Sequence, residues 1–297
     1  MSALTTLNYI NVAAYLANVA VTYGIGVAGL FGLPSNTELS EKYQSLVTPT
    51  GFTFAIWGVI FVAQAVFTVA QLVPSIAKSP LVQEGVGYSY VAVCISQIAW
   101  TLAFANQIIW LALIFMLMIL VNLVSIVMSQ YDLTASDWKD YFLLKFPFAI
   151  HCGWIIAASF VNASVVLVSY KDDADLQFYV ALGSLIGVLV VAGFLLTYPL
   201  KTDYVIPLVL AWATLGIYLE LRDPAQLILV TFDASMIATV KHGALIFFVV
   251  LALAILLRAI LGNKKDDASS GATAATAPSK ADEENLYVRT DDTGRMG

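Results

Sequence analysis

The sequence predicts an all-α fold, a polytopic bundle of membrane helices. Composition is the first reason: 60% of its 297 residues are hydrophobic and only 11% are charged. Together with a mean hydropathy of +0.85, this is a balance that a water-soluble domain of this length does not hold. The second reason is the distribution of that apolar character. It falls into eight uninterrupted runs, at residues 8–32, 52–74, 86–105, 107–129, 145–169, 176–197, 204–221 and 239–262. Each is near the roughly 20 residues that a helix needs to cross a bilayer. None alternates as a barrel strand does, and a backbone in hydrocarbon must satisfy its polar groups within its own segment, so the runs read as helices.

Taken in order, the first run begins within "MSALTTLNYINVAAYLANVA", a start that has no basic leader and reads as a retained span. The second opens as "LVTPTGFTFAIWGVIFV", a proline, a glycine and a cluster of rings at the mouth of a helix. It could be an interfacial anchor, a packing surface or one wall of a ligand site. The third to eighth runs follow with short connections. In "LRDPAQLILVTFDASMIATVKHG" an apolar stretch of about a dozen residues is too short to span and is expected at the interface, with seven spans as the alternative to eight. Beyond residue 262, "NKKDDASSGATAATAPSKADEENLYVRTDDTGRMG" has too little apolar surface to offset the entropy of folding and is expected to be disordered. The segments 1–170, 171–262 and 263–297 are thus read as a five-helix core, three further spans and a tail.

Lys and Arg near the span ends set the orientation. With eight spans, Lys78, Lys139, Lys145, Lys201, Arg258, Lys264 and Lys265 share one side and Lys42, Lys171, Arg222 and Lys241 the other. That excess places both termini in the cytosol. The net charge of −6 lies in loops and tail without a basic stripe, so nucleic acid is not an expected partner; the bilayer is. Cys94 and Cys152 sit in apolar runs and say little about redox compartment.

The sequence carries no phosphate loop, no paired metal-ligand histidines on one helix and no serine elbow, and no enzymatic activity is expected. His151 and His242 raise the idea of haem held by two imidazoles. Their spans start on opposite sides of the membrane, which puts the rings at different depths. Polar residues inside the spans are Asn11, Asn18, Gln64, Gln97, Asn122, His151 and Asn162, for each of which interhelical hydrogen bonding is the plainer role. No acidic residue lies deep in a span, which argues against a proton- or cation-coupled pump. Trp138, among Asp137, Lys139 and Asp140, reads as an interfacial anchor.

Three other tryptophans sit within patterns. Pro49 precedes Trp57 and Gly58 by eight residues; Gln97, Trp100 and Phe104 share a face of the third span; and Pro147, His151, Trp154, Ala158 and Asn162 make a stripe along the fifth. In these motifs, their order and their loop lengths, residues 8–170 resemble the tryptophan-rich sensory protein family, also called the translocator protein or peripheral benzodiazepine receptor family. The departures are specific. Gln97 stands where the family usually has Asn, the family's acidic residue in the fourth helix has no counterpart between Trp110 and Phe115, and Tyr170 and Lys171 are adjacent where its sterol-recognition pattern has a spacer.

The resemblance implies a five-helix translocator-protein-like core plus three extra transmembrane helices, with a pocket beneath the first inter-helix loop. It implies binding of porphyrins or sterol-like molecules by a sensor or translocator, with no cofactor required, a bound tetrapyrrole compatible with the site, and a homodimer as a further expectation. Pro49, Trp57, Gln97, Trp100, Phe104, His151, Trp154 and Asn162 are the candidate ligand-binding residues. At 1.5 Å per helical residue, Trp57 and Trp100 lie roughly 8 Å and Asn162 roughly 10 Å below the loop face, with Trp154 deeper. A structural or assembly subunit of a larger membrane complex is the alternative function.

Overall fold

The computed structural model describes residues 4–135, 137–197 and 203–276, with side chains to residue 261. Among the described residues there are helices and turns and no strand. Each of the eight predicted runs contains a helix. The first is α1 (Thr6–Val21), prolonged by a π-helical turn to Val27. It stops there, short of residue 32, because Gly29, Phe31 and Gly32 all take positive φ (62°, 64° and 72°), a left-handed conformation that cannot continue a right-handed helix. The predicted loop then folds into α2 (Asn36–Lys42), started by a capping box between Ser35 and Glu38.

The second run begins with a 3₁₀ turn, Gly51–Ala55, and continues as α3 (Ile56–Ala70). Next come α4 (Ser89–Ala105), α5 (Ile109–Tyr131), a single turn α6 (Trp138–Asp140) and α7 (Phe146–Tyr170), with Pro147 in its first turn, where a missing N–H costs nothing. The further spans are α8 (Ala174–Thr197) and α9 (Val205–Glu220). The short apolar stretch becomes α10 (Gln226–Thr231), too short to cross a bilayer, and α11 runs from Ala234 to Thr276. Six of these segments are long and apolar enough to span a membrane; α4 and α9 are shorter apolar helices. The backbone of 263–276, expected to be disordered, is helical as part of α11, and 277–297 lie outside the described residues.

Met1–Ala252 form one unit and Leu253–Gly297 a second. Within the first, α7 is central. It packs on α3, α5, α8 and α9, while α4 packs on α1 and α5. Its sequence explains the position, since small residues on several faces let neighbours approach. A Cβ on Gly153 would stand 2.9 Å from Val209 Cβ and 3.2 Å from Ile206 Cα, so glycine is what allows α9 to lie against α7. Large apolar side chains such as Ile114, Leu117, Val121 and Met128 of α5 remain exposed, as a lipid-facing surface requires.

The polar residues inside the spans mostly pair between helices. Asn11 Nδ2 donates to Gln71 Oε1 (3.1 Å), and Asn8 Nδ2 to the Gln71 carbonyl (3.2 Å), tying α1 to the end of α3. Gln64 Nε2 lies 2.8 Å from His151 Nδ1, linking α3 and α7. Bonds of this type contribute about 0.6 kcal/mol each in membrane bundles and fix register more than stability. Asn18 and Asn122 do not: Asn18 accepts from Thr22 Oγ1 within its own segment (3.2 Å), and Asn122 bonds its own helix at the Met118 carbonyl (2.8 Å). His242 is exposed on α11 while His151 is fully buried. Cys94 and Cys152 are buried free thiols, and Trp138 is 68% exposed.

Candidate functional site: an apolar cavity roofed by the first inter-helix loop

The residues that precede α3 are held against α9. Gln44 Nε2 donates to Glu220 Oε1 (2.5 Å), the Thr50 amide to the Gly216 carbonyl (3.1 Å), and Trp212 Nε1 to the Thr53 carbonyl (3.1 Å). Phe52 meets the Trp212 ring edge-on at 5.2 Å. The contact is so close that a Cβ on Gly216 would fall 2.3 Å from Thr53 Oγ1 and 2.9 Å from Pro49 Cβ. Gly51, by contrast, keeps an ordinary φ and has open space where a side chain would be. The glycine that this corner depends on is Gly216, across the interface, and not Gly51.

Beneath this roof lies a cavity of about 70 Å³. Pro49 and Val47 close it above, Trp57 from α3 and Trp100 from α4 form walls, Met116 of α5 contributes, and α7 presents Trp154 and Asn162. Rings pack on rings: Trp57 sits 6.3 Å from Trp154 at 82°, and Phe54 meets Trp154 edge-on at 5.6 Å. Such aromatic pairs contribute about 0.5–1.5 kcal/mol beyond their buried area. Trp100 Nε1 donates to Asn162 Oδ1 (3.2 Å). That bond joins α4 and α7 at one level, as the rise per residue predicts for these two positions.

Of the eight candidate residues, the structure brings Pro49, Trp57, Trp100, Trp154 and Asn162 to the cavity wall. Gln97, Phe104 and His151 do not line it. Phe104 stacks on Trp100 (5.1 Å, 13°), behind the wall. His151 packs edge-on against the far neighbour of Trp154, the Trp57 ring, at 5.6 Å, and is buried on Gln64. Gln97 is buried with no partner for Oε1 among the described residues.

A further part of the wall comes from helices outside the five-helix core: Ser184, Leu185 and Val188 of α8, and Ala213, Thr214 and Ile217 of α9. These residues carry no ring or charge that would single them out in a sequence. The available signal was the Trp212–Gly216 pair, an aromatic and a small residue one turn apart on a helix otherwise uniformly apolar. Among the described residues, neither Lys, Arg, His, Asp nor Glu lines the cavity. Among the described residues no group of three or more His, Cys, Asp or Glu is placed to hold a metal.

A family description, TSPO-like protein, matches residues 8–261. The match therefore takes in α8 and α9 as well as the first five spans, in agreement with a cavity whose wall they share. No curated protein and no solved structure matches the chain. A family match that spans most of the sequence, on a bundle whose tryptophans converge under the first loop, settles the relationship: this integral membrane chain belongs to the TSPO-like family.

Proposed function

We propose that the protein binds apolar molecules of the tetrapyrrole or sterol-like class in this intramembrane cavity and acts as their sensor or translocator. The observation that carries the reading is the convergence of Trp57, Trp100 and Trp154, from three helices, on one cavity with Asn162 fixed at its edge. Flat aromatic walls with a few placed polar groups suit a planar or fused-ring ligand. The hydrophobic faces of a tetrapyrrole fit such walls; its carboxylates find no cation there.

Size adds a condition. A cavity of about 70 Å³ is smaller than the roughly 150 Å³ void that takes up benzene, so a ring ligand enters only when a wall moves. Six helices, α3, α4, α5, α7, α8 and α9, contribute to the wall. The remaining part is the segment 47–53, held to α9 by two backbone-directed hydrogen bonds and one ring contact, and it is the wall that parts at least cost.

Titration of protoporphyrin against the parent and the single variants Trp57→Phe, Trp100→Phe and Trp138→Phe, in one detergent, tests the proposal. Loss of the indole at either of the first two positions weakens binding by about 0.5–1.5 kcal/mol, while Trp138→Phe leaves it unchanged. Equal dissociation constants in all four proteins refute it.

A further inference from the structure

A second cavity, of about 490 Å³, opens where α5 ends and α7 and α9 begin, at the other end of α9 from the roofed cavity. That volume falls within the roughly 300–1,000 Å³ of small-molecule sites. Among the described residues, Lys145 is the one cation and Asp203 the one carboxylate on its wall, and Tyr131, Tyr141 and Tyr204 supply rings. Both charges are fixed in place. Lys145 Nζ donates to the carbonyls of Gln130 and Leu133 (2.6 Å each), and Asp203 accepts from the Val205 amide (2.8 Å) and the Tyr141 hydroxyl (3.2 Å). Trp138 of α6 and Phe142 just after it are 68% and 52% exposed, as rings at the level of lipid headgroups are.

We propose that this cleft binds a zwitterion in which a phosphate diester is joined to an ammonium group, the headgroup chemistry of a zwitterionic phospholipid. The argument is charge complementarity within one partly buried space. A ligand with a phosphate alone brings its charge beside Asp203, and one with an ammonium group alone brings it beside Lys145; like charges at short range are unfavourable where water is partly excluded. An uncharged apolar ligand takes water from both ions and offers no compensating interaction. A zwitterion lets the phosphate meet Lys145 and the ammonium group meet Asp203, with tyrosine rings adding a cation–π contribution. Burial holds the Asp203 carboxyl above its ordinary range despite the Lys145 charge, and a further positive group beside it favours the ionised form. The site differs from the tryptophan-walled cavity in position, size and polarity, and does not depend on what that cavity binds.

The test uses the full-length protein in detergent and reads, by native mass spectrometry, what is retained from an equimolar mixture of lipids on the same dioleoyl chains. Phosphatidylcholine carries both charges, phosphatidylglycerol the phosphate alone, and a trimethylammonium-propane lipid the cation alone. Phosphatidylcholine is expected to be retained about tenfold over phosphatidylglycerol, the factor that a partly desolvated cation–π contact supplies. It should exceed the cationic lipid by about tenfold as well, through the charge-assisted bond of phosphate to Lys145. In Asp203→Asn the preference over phosphatidylglycerol falls toward one, whereas Asp132→Asn, an exposed carboxylate just beyond α5 that does not line the cleft, keeps it. Glycerophosphocholine in excess should displace the lipid. Displacement at concentrations equal to the lipid's assigns the cleft to a free zwitterion, and displacement only at great excess assigns it to a lipid headgroup. Equal retention of the three lipids, a choline preference unchanged in Asp203→Asn, or no displacement by glycerophosphocholine overturns the inference and leaves Lys145 and Asp203 to serve the helix ends alone. The comparison of lipids in the parent decides even where the variant does not fold.

Discussion

Gly216→Ala is the sharpest perturbation of the roof. The added methyl would sit 2.3 Å from Thr53 Oγ1, 2.9 Å from Thr53 Cγ2 and 2.9 Å from Pro49 Cβ. Rotation of Thr53 does not relieve the clash, because either branch of its side chain would occupy the same space, and the proline ring cannot turn away. The segment 49–53 must recoil, and with it the Thr50 amide bond to the Gly216 carbonyl and the Trp212 bond to the Thr53 carbonyl, both 3.1 Å or less. Forcing a methyl into a packed site costs about 1–3 kcal/mol, and each hydrogen bond lost about 0.5–1.5 kcal/mol. Against this, alanine is about 0.8–1.0 kcal/mol better than glycine in a helix interior. The clash prevails, for a net loss of about 1–3 kcal/mol. Gly183→Ala on α8 is the control, since its Cβ would meet nothing and only the helical gain remains. Thermal unfolding in detergent should move down for Gly216→Ala and up for Gly183→Ala, and hydrogen exchange over 44–53 should quicken about tenfold or more in the first variant alone, a factor of ten corresponding to about 1.4 kcal/mol. Equal stability of the two variants with unchanged exchange would refute the close seating of the loop on α9.

Further expectations follow from single contacts. Trp100→Phe leaves the buried Asn162 Oδ1 without its donor, and should destabilise the protein by about 1–3 kcal/mol in the same unfolding assay. His151→Leu strands Gln64 Nε2 and should cost a similar amount, about 1–3 kcal/mol, without altering protoporphyrin affinity as Trp57→Phe does. Burial pushes the Asp203 carboxyl above the ordinary range, against the pull of the Val205 amide, the Tyr141 hydroxyl and the Lys145 charge. A group whose folded pKa is raised contributes stability that is present below its unfolded pKa and lost as pH rises through the folded one. Unfolding midpoints of the parent should therefore fall as pH climbs from about 3.9, and Asp203→Asn should flatten that part of the profile; an identical profile in the variant would contradict this. Both termini are expected on the cytosolic side from the Lys and Arg bias, so protease added to sealed right-side-out vesicles should spare the C-terminal tail.

The helical architecture was legible because the bilayer acts as a strict solvent: an apolar run of the right length has only one way to satisfy its backbone. Helix ends were less so, and the first span shows why, since its stop is set by positive φ at Phe31 as well as at two glycines, and phenylalanine gives no warning of that. The site was legible where it is made of rings and amides. Trp57, Trp100, Trp154 and Asn162 stand out against an aliphatic background, and helical periodicity brings Trp154 and Asn162 onto one stripe. It was illegible where it is made of ordinary membrane residues: nothing local distinguishes Leu185 or Ala213, which reach the cavity, from the many that face lipid. Their role comes from where α8 and α9 pack, which Gly187 permits for α8 against Phe160 and Gly153 for α9 against α7, through contacts far apart in the chain. His151 was drawn into the site by the stripe along the fifth run, and Gln97 by its place in the motif with Trp100 and Phe104. Both lie on faces directed at the bundle interior, where a partner helix, and not the cavity, meets them.

The central claim is that an apolar ligand occupies a cavity enclosed jointly by the five-helix core and by α8 and α9. Photolabelling of the full-length protein with a diazirine-bearing cholestan-3-one, followed by peptide mapping, tests it most directly. The account predicts adducts within 157–162 of α7, 184–188 of α8 and 213–217 of α9, all suppressed by excess unlabelled ketone. Adducts confined to lipid-facing positions such as Ile114, Val121 or Met128, and insensitive to competitor, would contradict it.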